Sequence, residues 1–331
     1  MSSNFVEGVD LQDLVSLTQS EALHRCLDGL LTTGLQATEV GRARRLVQRI
    51  LYHRNQGDKV FLSYTSNLIS SGLRDTFMVL AKEKLVDAFI SSAGGIEEDV
   101  IKCFGKTYVG MFSLDGKMLR KQGLNRVGNL LIPNDNYCHF EEFLMPVLKS
   151  TLEMQKESLW AAHTAPSDFI AAMGRALEVH APQSECETSL VYWCYKNNIP
   201  MFSPALTDGS IGDMIYFFSF KESGLIVDPI KDVVKLRSLC ASNVTPGGKN
   251  HGIILGAGLP KNHLLRNIKL DCMVVVTTGL EADGCASSCT VADDVYCGLI
   301  KEDCEVVRVQ GDATLLFPMM LVTEAKTSAL P

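Results

Sequence analysis

A short apolar run, a turn of small residues and then a helical period recur along this chain, and that sequence of signals narrows the fold most. Val60-Phe61-Leu62-Ser63-Tyr64 leads into Thr65-Ser66-Asn67, with helical spacing following through Leu73 and Phe77. Val86-Asp87-Ala88-Phe89-Ile90 leads into Ser91-Ser92-Ala93-Gly94-Gly95, and a helix is expected from Ile96. Met201-Phe202, Ile253-Ile254-Leu255 and Met273-Val274-Val275-Val276 each run into a comparable turn. Strands that are apolar throughout, rather than alternating, need cover on both faces, and intervening helices supply it. The pattern predicts an α/β fold, a doubly wound and mostly parallel sheet with helices on both faces. Residues 38–53 predict a capped helix with Val40, Ala43, Leu46, Val47, Ile50 and Leu51 in one stripe. Arg42, Arg45 and Arg49 fall outside that stripe, as a solvated face does.

Ligands of such sheets bind beyond the carboxyl ends of the strands. Ser66, Ser70, Ala93, Gly94, Asp208, Gly256, Gly258 and Thr278 stand in those turns and are expected to converge. Glycine lets a phosphate approach the backbone, and helix N-termini aim N–H donors at it. Several such turns suggest a dinucleotide. None is a full G-x-G-x-x-G, so the turns alone specify only a nucleotide-like ligand.

Composition excludes other classes. The formal net charge of −7 disfavours nucleic acid or an anionic membrane as main partner. No apolar run approaches the ~18 residues of a spanning helix. The N-terminus lacks a basic and then apolar export signal, which leads to the expectation of a cytoplasmic protein. A mean hydropathy of +0.11 suggests surface buried between subunits. The 11 cysteines are then expected to be reduced, and those in apolar runs (Cys103, Cys194, Cys240, Cys272) to act as small hydrophobes. Cys285, Cys289, Cys297 and Cys304 lack the paired spacing of structural zinc, so no metal is expected.

Longer stretches are more specific. Thr32-Thr33-Gly34-Leu35-Gln36-Ala37-Thr38, Tyr64-Thr65-Ser66-Asn67-Leu68-Ile69-Ser70-Ser71-Gly72 and Ala93-Gly94-Gly95-Ile96-Glu97-Glu98-Asp99 occur in order. Gly128-Asn129-Leu130-Leu131-Ile132-Pro133-Asn134, Phe202-Ser203-Pro204-Ala205-Leu206-Thr207-Asp208-Gly209-Ser210 and Gly311-Asp312-Ala313-Thr314 follow. Together they resemble the deoxyhypusine synthase family from about Thr32 to about Glu324, which covers most of the chain. The resemblance implies a variable segment over 1–31 and a single NAD-binding, Rossmann-like domain over 32–331. It also implies the family's chemistry. Spermidine is oxidised with NAD, the aminobutyl group is captured on an active-site lysine, and the group passes to a lysine of the translation initiation factor 5A precursor. Family members are tetramers with active sites at dimer interfaces.

Carried over position by position, the resemblance assigns Ser66, Ser70, Ser92, Ala93, Gly94, Glu98, Asp208, Gly256, Gly258, Thr278, Asp283 and Asp312 to NAD. Asp213, Ser287 and Asp293 remain on the polyamine side. That side otherwise departs. The family's Val-Lys-His-His reads Pro260-Lys261-Asn262-His263, and the second aspartate of the next motif is Ala286. The family's Glu-Ala-Val-Ser-Trp-Gly-Lys-Ile reads Asp293-Asp294-Val295-Tyr296-Cys297-Gly298-Leu299-Ile300. Leu299 stands in the place of the catalytic lysine and has no nitrogen with which to form an imine. The resemblance therefore implies a catalytically inactive, regulatory paralogue that binds NAD and activates a catalytic partner in a hetero-oligomer, a tetramer by analogy. Two alternatives are an active enzyme using a relocated lysine, for which Lys301 is the candidate, and an NAD-binding interaction protein. An extended segment would set Lys301 and Leu299 on one face about 6–7 Å apart.

Overall fold

The structure, a computed structural model, describes residues 19–161, 163–241, 247–284 and 288–322. The chain forms two compact units, one of residues 1–63 and 242–331, the other of residues 64–241. Its strands are β1 (Lys59–Tyr64), β2 (Ala88–Ile90), β3 (Tyr108–Val109), β4 (Leu124–Val127), β5 (Leu130–Pro133), β6 (Met201–Phe202), β7 (Asn250–Leu255), β8 (Cys272–Thr277) and β9 (Glu305–Gln310).

In the first unit β1, β7, β8 and β9 lie side by side in that order. β7 and β8 are parallel, with His251 opposite Cys272 and Leu255 opposite Val276, and β9 runs parallel to β8. Every residue of β1, β7 and β8 is buried, which requires cover on both faces. The sequence runs of these strands anticipated this. β9 is different, because Glu305-Val306-Val307-Arg308-Val309-Gln310 alternates, and only Val307 and Val309 are buried. The helix expected over 38–53 is present as Leu35–Arg54 and buries Val40, Ala43, Leu46, Val47, Ile50 and Leu51. It starts earlier because Gly34, at φ 97°, turns the chain out of the Gln19–Thr33 helix. Thr38 therefore sits inside the helix, and its hydroxyl accepts the Gly34 N–H at 3.0 Å. Arg44, also buried, donates to Asp28 at 2.6 Å and to the Val322 carbonyl at 2.9 Å.

In the second unit β2 pairs with β6 in parallel, Phe89 opposite Met201 and Ile90 opposite Phe202. Helices Leu73–Lys82, Gly94–Ile101, Asn134–Glu157, Pro166–His180, Leu190–Lys196 and Ser210–Ser219 accompany them. A small antiparallel sheet, β3-β5-β4, lies within residues 108–133 and has no counterpart in the apolar-run pattern. The parallel pairs with interleaved helices give the α/β class the sequence predicts. One acidic side chain anchors much of this unit. Asp99 is fully buried and accepts from Arg74 at 2.7 Å, from the Ser189 hydroxyl at 2.6 Å, and from the N–H groups of Leu190 and Val191 at 3.0 and 2.8 Å. Charge-assisted bonds of this kind offset the cost of burying the carboxylate.

Candidate functional site

The second unit brings together the turns that follow β1, β2 and β6. After β1, the Ser66 carbonyl accepts from the N–H groups of Ile69 and Ser70 at 3.0 and 3.3 Å, which closes the short helix Asn67–Ser70. After β2, Gly94 begins the next helix, and a Cβ at Gly94 would come within 2.9 Å of the Ser66 Cβ and 3.2 Å of its hydroxyl. Only glycine allows these two turns to touch. After β6, Asp208 reaches back and accepts the Ala93 N–H at 2.9 Å. Ser66, Ala93, Gly94 and Asp208 thus converge as the sequence predicts, with Ser92 half-buried beside Ala93 and Ser70 buried at the end of its helix.

Two adjacent carboxylates line this convergence and differ in what satisfies them. Glu97 accepts the Ile211 N–H at 2.8 Å, and a Cβ at Gly209 would lie 2.5 Å from its other oxygen. The bond ties the start of helix Ser210–Ser219 to helix Gly94–Ile101. Burial raises the Glu97 pKa against the pull of the Ile211 and Ser210 amides, and Asp208 and Asp213 add to the rise. Glu98 accepts the Tyr137 hydroxyl at 3.2 Å through one oxygen. Its other oxygen, Oε2, is buried with no hydrogen-bond partner among the described residues. Burial pushes the Glu98 carboxyl up to about 7, with Glu97 adding to the rise and Tyr137 opposing it. Asp213 is exposed in the first turn of helix Ser210–Ser219. Such a set of carboxylates repels phosphate and suits hydroxyl or cationic groups.

Lys102 carries a role the sequence did not disclose. Its ammonium donates to the consecutive carbonyls of Ile69, Ser70 and Ser71 at 2.7, 2.7 and 3.0 Å. This clamps the C-terminal end of the serine turn onto the end of helix Gly94–Ile101. Burial brings the Lys102 pKa down to about 8. Neither Glu97 nor Lys102 has a distinctive sequence signal, since acidic residues early in a helix and lysine at its end are ordinary.

In the first unit Gly256 and Gly258 have φ of 90° and 70°, values that favour glycine. The Gly256 N–H donates to the Val276 carbonyl at 2.7 Å and extends the β7–β8 ladder. Gly258 opens helix Gly258–Asn267, and nothing lies within 4 Å of where its Cβ would be. The helix has no side-chain cap hydrogen bond at its start, which leaves its first N–H groups without that acceptor. Thr278 is exposed just beyond β8, and Asp283 lies in the turn Glu281–Asp283. Asp312 is spent locally, accepting from the Thr314 N–H and hydroxyl at 2.8 Å each to cap helix Ala313–Met320. Asp293 is likewise committed, closing a capping box with Thr290 on helix Val291–Tyr296. Ser287, Cys285 and Ala286 lie outside the described residues.

The rewritten segment holds no free amine. Leu299 is half-buried, and its N–H donates to the Asp294 carbonyl at 2.9 Å. Lys301 is engaged by Asp271 at 2.6 Å, a hydrogen bond that raises its pKa and favours the charged, non-nucleophilic form. Lys261 is 2.8 Å from Asp294 in an ion pair with both side chains 3% exposed. Beside it Asn262 Oδ1 and His263 Nε2 are buried with no hydrogen-bond partner among the described residues, and burial lowers the His263 pKa. Among the described residues no group of three or more His, Cys, Asp or Glu side chains is placed to hold a metal ion. Cys297 is exposed and Cys304 half-buried.

A family model for deoxyhypusine synthase matches residues 26–324. A Leishmania donovani protein named "Inactive deoxyhypusine synthase" is 62% identical over 319 residues, covering 96% of this chain and 83% of that protein. A Trypanosoma brucei brucei protein named "Deoxyhypusine synthase regulatory subunit" is 53% identical over 322 residues, 97% of this chain and 93% of that one. An Arabidopsis thaliana deoxyhypusine synthase is 40% identical over 96% of this chain and 88% of its own length. The crystal structure of a putative deoxyhypusine synthase from Entamoeba histolytica superposes with a TM-score of 0.63 at 26% identity, covering 96% of this chain and 95% of that one. The chain belongs to the deoxyhypusine synthase family.

Proposed function

We propose that this chain is a regulatory, catalytically inactive subunit that binds NAD and pairs with a catalytic deoxyhypusine synthase paralogue in a cytoplasmic hetero-oligomer, a tetramer by analogy with the family. Through that partner it serves transfer of the spermidine aminobutyl group to a lysine of the translation initiation factor 5A precursor. The observation that carries the reading is Leu299, a residue without a nitrogen at the position of the family's imine-forming lysine. The relocated-lysine alternative is disfavoured by the Asp271 ion pair, which holds Lys301 protonated. The names of the Leishmania and Trypanosoma relatives point the same way.

The residues present fit NAD. The unpartnered Glu98 Oε2 and the carboxylates around it suit ribose hydroxyls or the cationic nicotinamide end. The open, uncapped start of helix Gly258–Asn267 suits phosphate. When bound, the cofactor supplies hydride acceptance. The second unit's own part is to hold and orient it through Ser66, Gly94 and Asp208. Co-expression with a catalytic paralogue from the same cell, followed by native mass measurement, tests the partnership. The expected result is a hetero-oligomer containing both chains, and recovery of each chain only with itself overturns the reading.

A further inference from the structure

Away from these turns, at the opposite ends of β7 and β8, three reactive side chains form a relay. Cys272 Sγ lies 2.9 Å from His251 Nδ1, and His251 Nε2 lies 2.8 Å from Asp58 Oδ2. The other Asp58 oxygen accepts the Lys249 N–H at 2.9 Å, which fixes the carboxylate. The register makes the contact necessary, since His251 and Cys272 are directly paired on adjacent strands. The sequence reading of Cys272 as a small hydrophobe therefore misses its partner, because an apolar run does not reveal what faces a strand's first residue. His251 is about 16 Å from Gly256 along an extended strand, so the relay is separate from the dinucleotide turns.

The relay lines a cavity of about 400 Å³ together with Arg49, His53, Lys249, Asp271 and Glu305. Two of the acidic groups there have cationic partners, and the third has an imidazole. Glu305 pairs with Arg49, Asp271 with Lys301 and Asp58 with His251. Among the lining side chains Asp58, Asp271 and Glu305 face two permanent cations, Arg49 and Lys249, so the wall carries no positive surplus. We propose that Cys272, His251 and Asp58 form a thiol-modification site that exchanges with small disulfides.

His251 takes the thiol proton and Asp58 stabilises the resulting imidazolium. The Cys272 thiolate attacks one sulfur of the disulfide, forming a new S–S bond as the old one breaks. The departing thiolate receives the proton from His251, so electrons and protons balance, and the small disulfide is the oxidant. Burial pushes the thiol up to about 12; Arg49 opposes this and Glu305 adds to it. The reaction therefore depends on His251 as base, and that dependence is what a merely packed cysteine lacks.

The test incubates the full chain with oxidised glutathione and follows each cysteine by mass spectrometry of its peptide. Cys272 is expected to be modified at least about tenfold faster than the buried Cys194. His251→Gln is expected to slow Cys272 about tenfold or more while leaving the exposed Cys138 and Cys297 unchanged. Asp58→Asn, expected to slow it less, serves if His251→Gln unfolds, which labelling of Cys194 reveals. A Cys272 as inert as Cys194, or equal rates in wild type and both variants, overturns the proposal.

Discussion

Glu98 and Lys261 are both ionisable and both buried, yet the fold treats them differently. Glu98 accepts the Tyr137 hydroxyl and has a carboxyl raised to about 7 by burial, so its folded form holds a proton that the unfolded chain has released. Its contribution is fully present below pH 4.5 and is lost as pH rises through about 7, a difference of about 3 kcal/mol at most. Glu98→Gln should therefore flatten the fall in Tm between pH 5 and 7.5, measured by thermal unfolding across that range. An unchanged slope would place the titration elsewhere. Lys261 instead has Asp294 at 2.8 Å. In the family segment an alanine stands where this chain has Asp294, so here the ion pair is a feature of the rewritten stretch. Asp294→Ala leaves the ammonium buried and unpaired, and urea unfolding should register a loss of about 3–5 kcal/mol. Lys261→Met with Asp294→Leu should recover most of that loss, because the pair then becomes apolar contact.

Among the elements, the serine turn depends on a side chain that no ligand needs to touch. Lys102 gathers the carbonyls of Ile69, Ser70 and Ser71, and Lys102→Met releases them. NAD affinity, read by titration calorimetry, should drop about tenfold in that variant. Equal affinity would mean the turn holds its shape unaided. The long parallel strands were legible because they are apolar throughout, and the turns because glycine and serine cluster at their ends. β9 and the β3-β5-β4 sheet were not, since alternating or very short segments resemble many loops. The site was legible only as far as residue type goes. Asp208 on the Ala93 amide follows from the turn pattern. Glu97 on the Ile211 amide, Lys102 on three carbonyls and Cys272 on His251 are contacts across long sequence separations, set by packing. Asp293 and Asp312 show the reverse, since each caps its own helix.

For the molecule as a whole, the small-residue turns of the family motifs are preserved while the segment that bears the family's lysine has been rewritten. Leu299→Lys alone should not yield an active enzyme, because Asn262, Ala286 and Cys297 still replace polyamine-side residues. Borohydride trapping of labelled spermidine on the isolated variant should leave no adduct. The net charge of −7 suits a basic partner or a polyamine, and it remains available to an assembly even where this chain binds no amine itself. In the proposed function this chain acts through a partner's lysine. The most direct test is the rate of deoxyhypusine formation with NAD, spermidine and the translation factor precursor, for this chain, the catalytic paralogue and their complex. No measurable rate for this chain alone, and a complex faster than the paralogue alone, is the predicted result. Turnover by this chain alone, or a complex no faster than the paralogue, would contradict it.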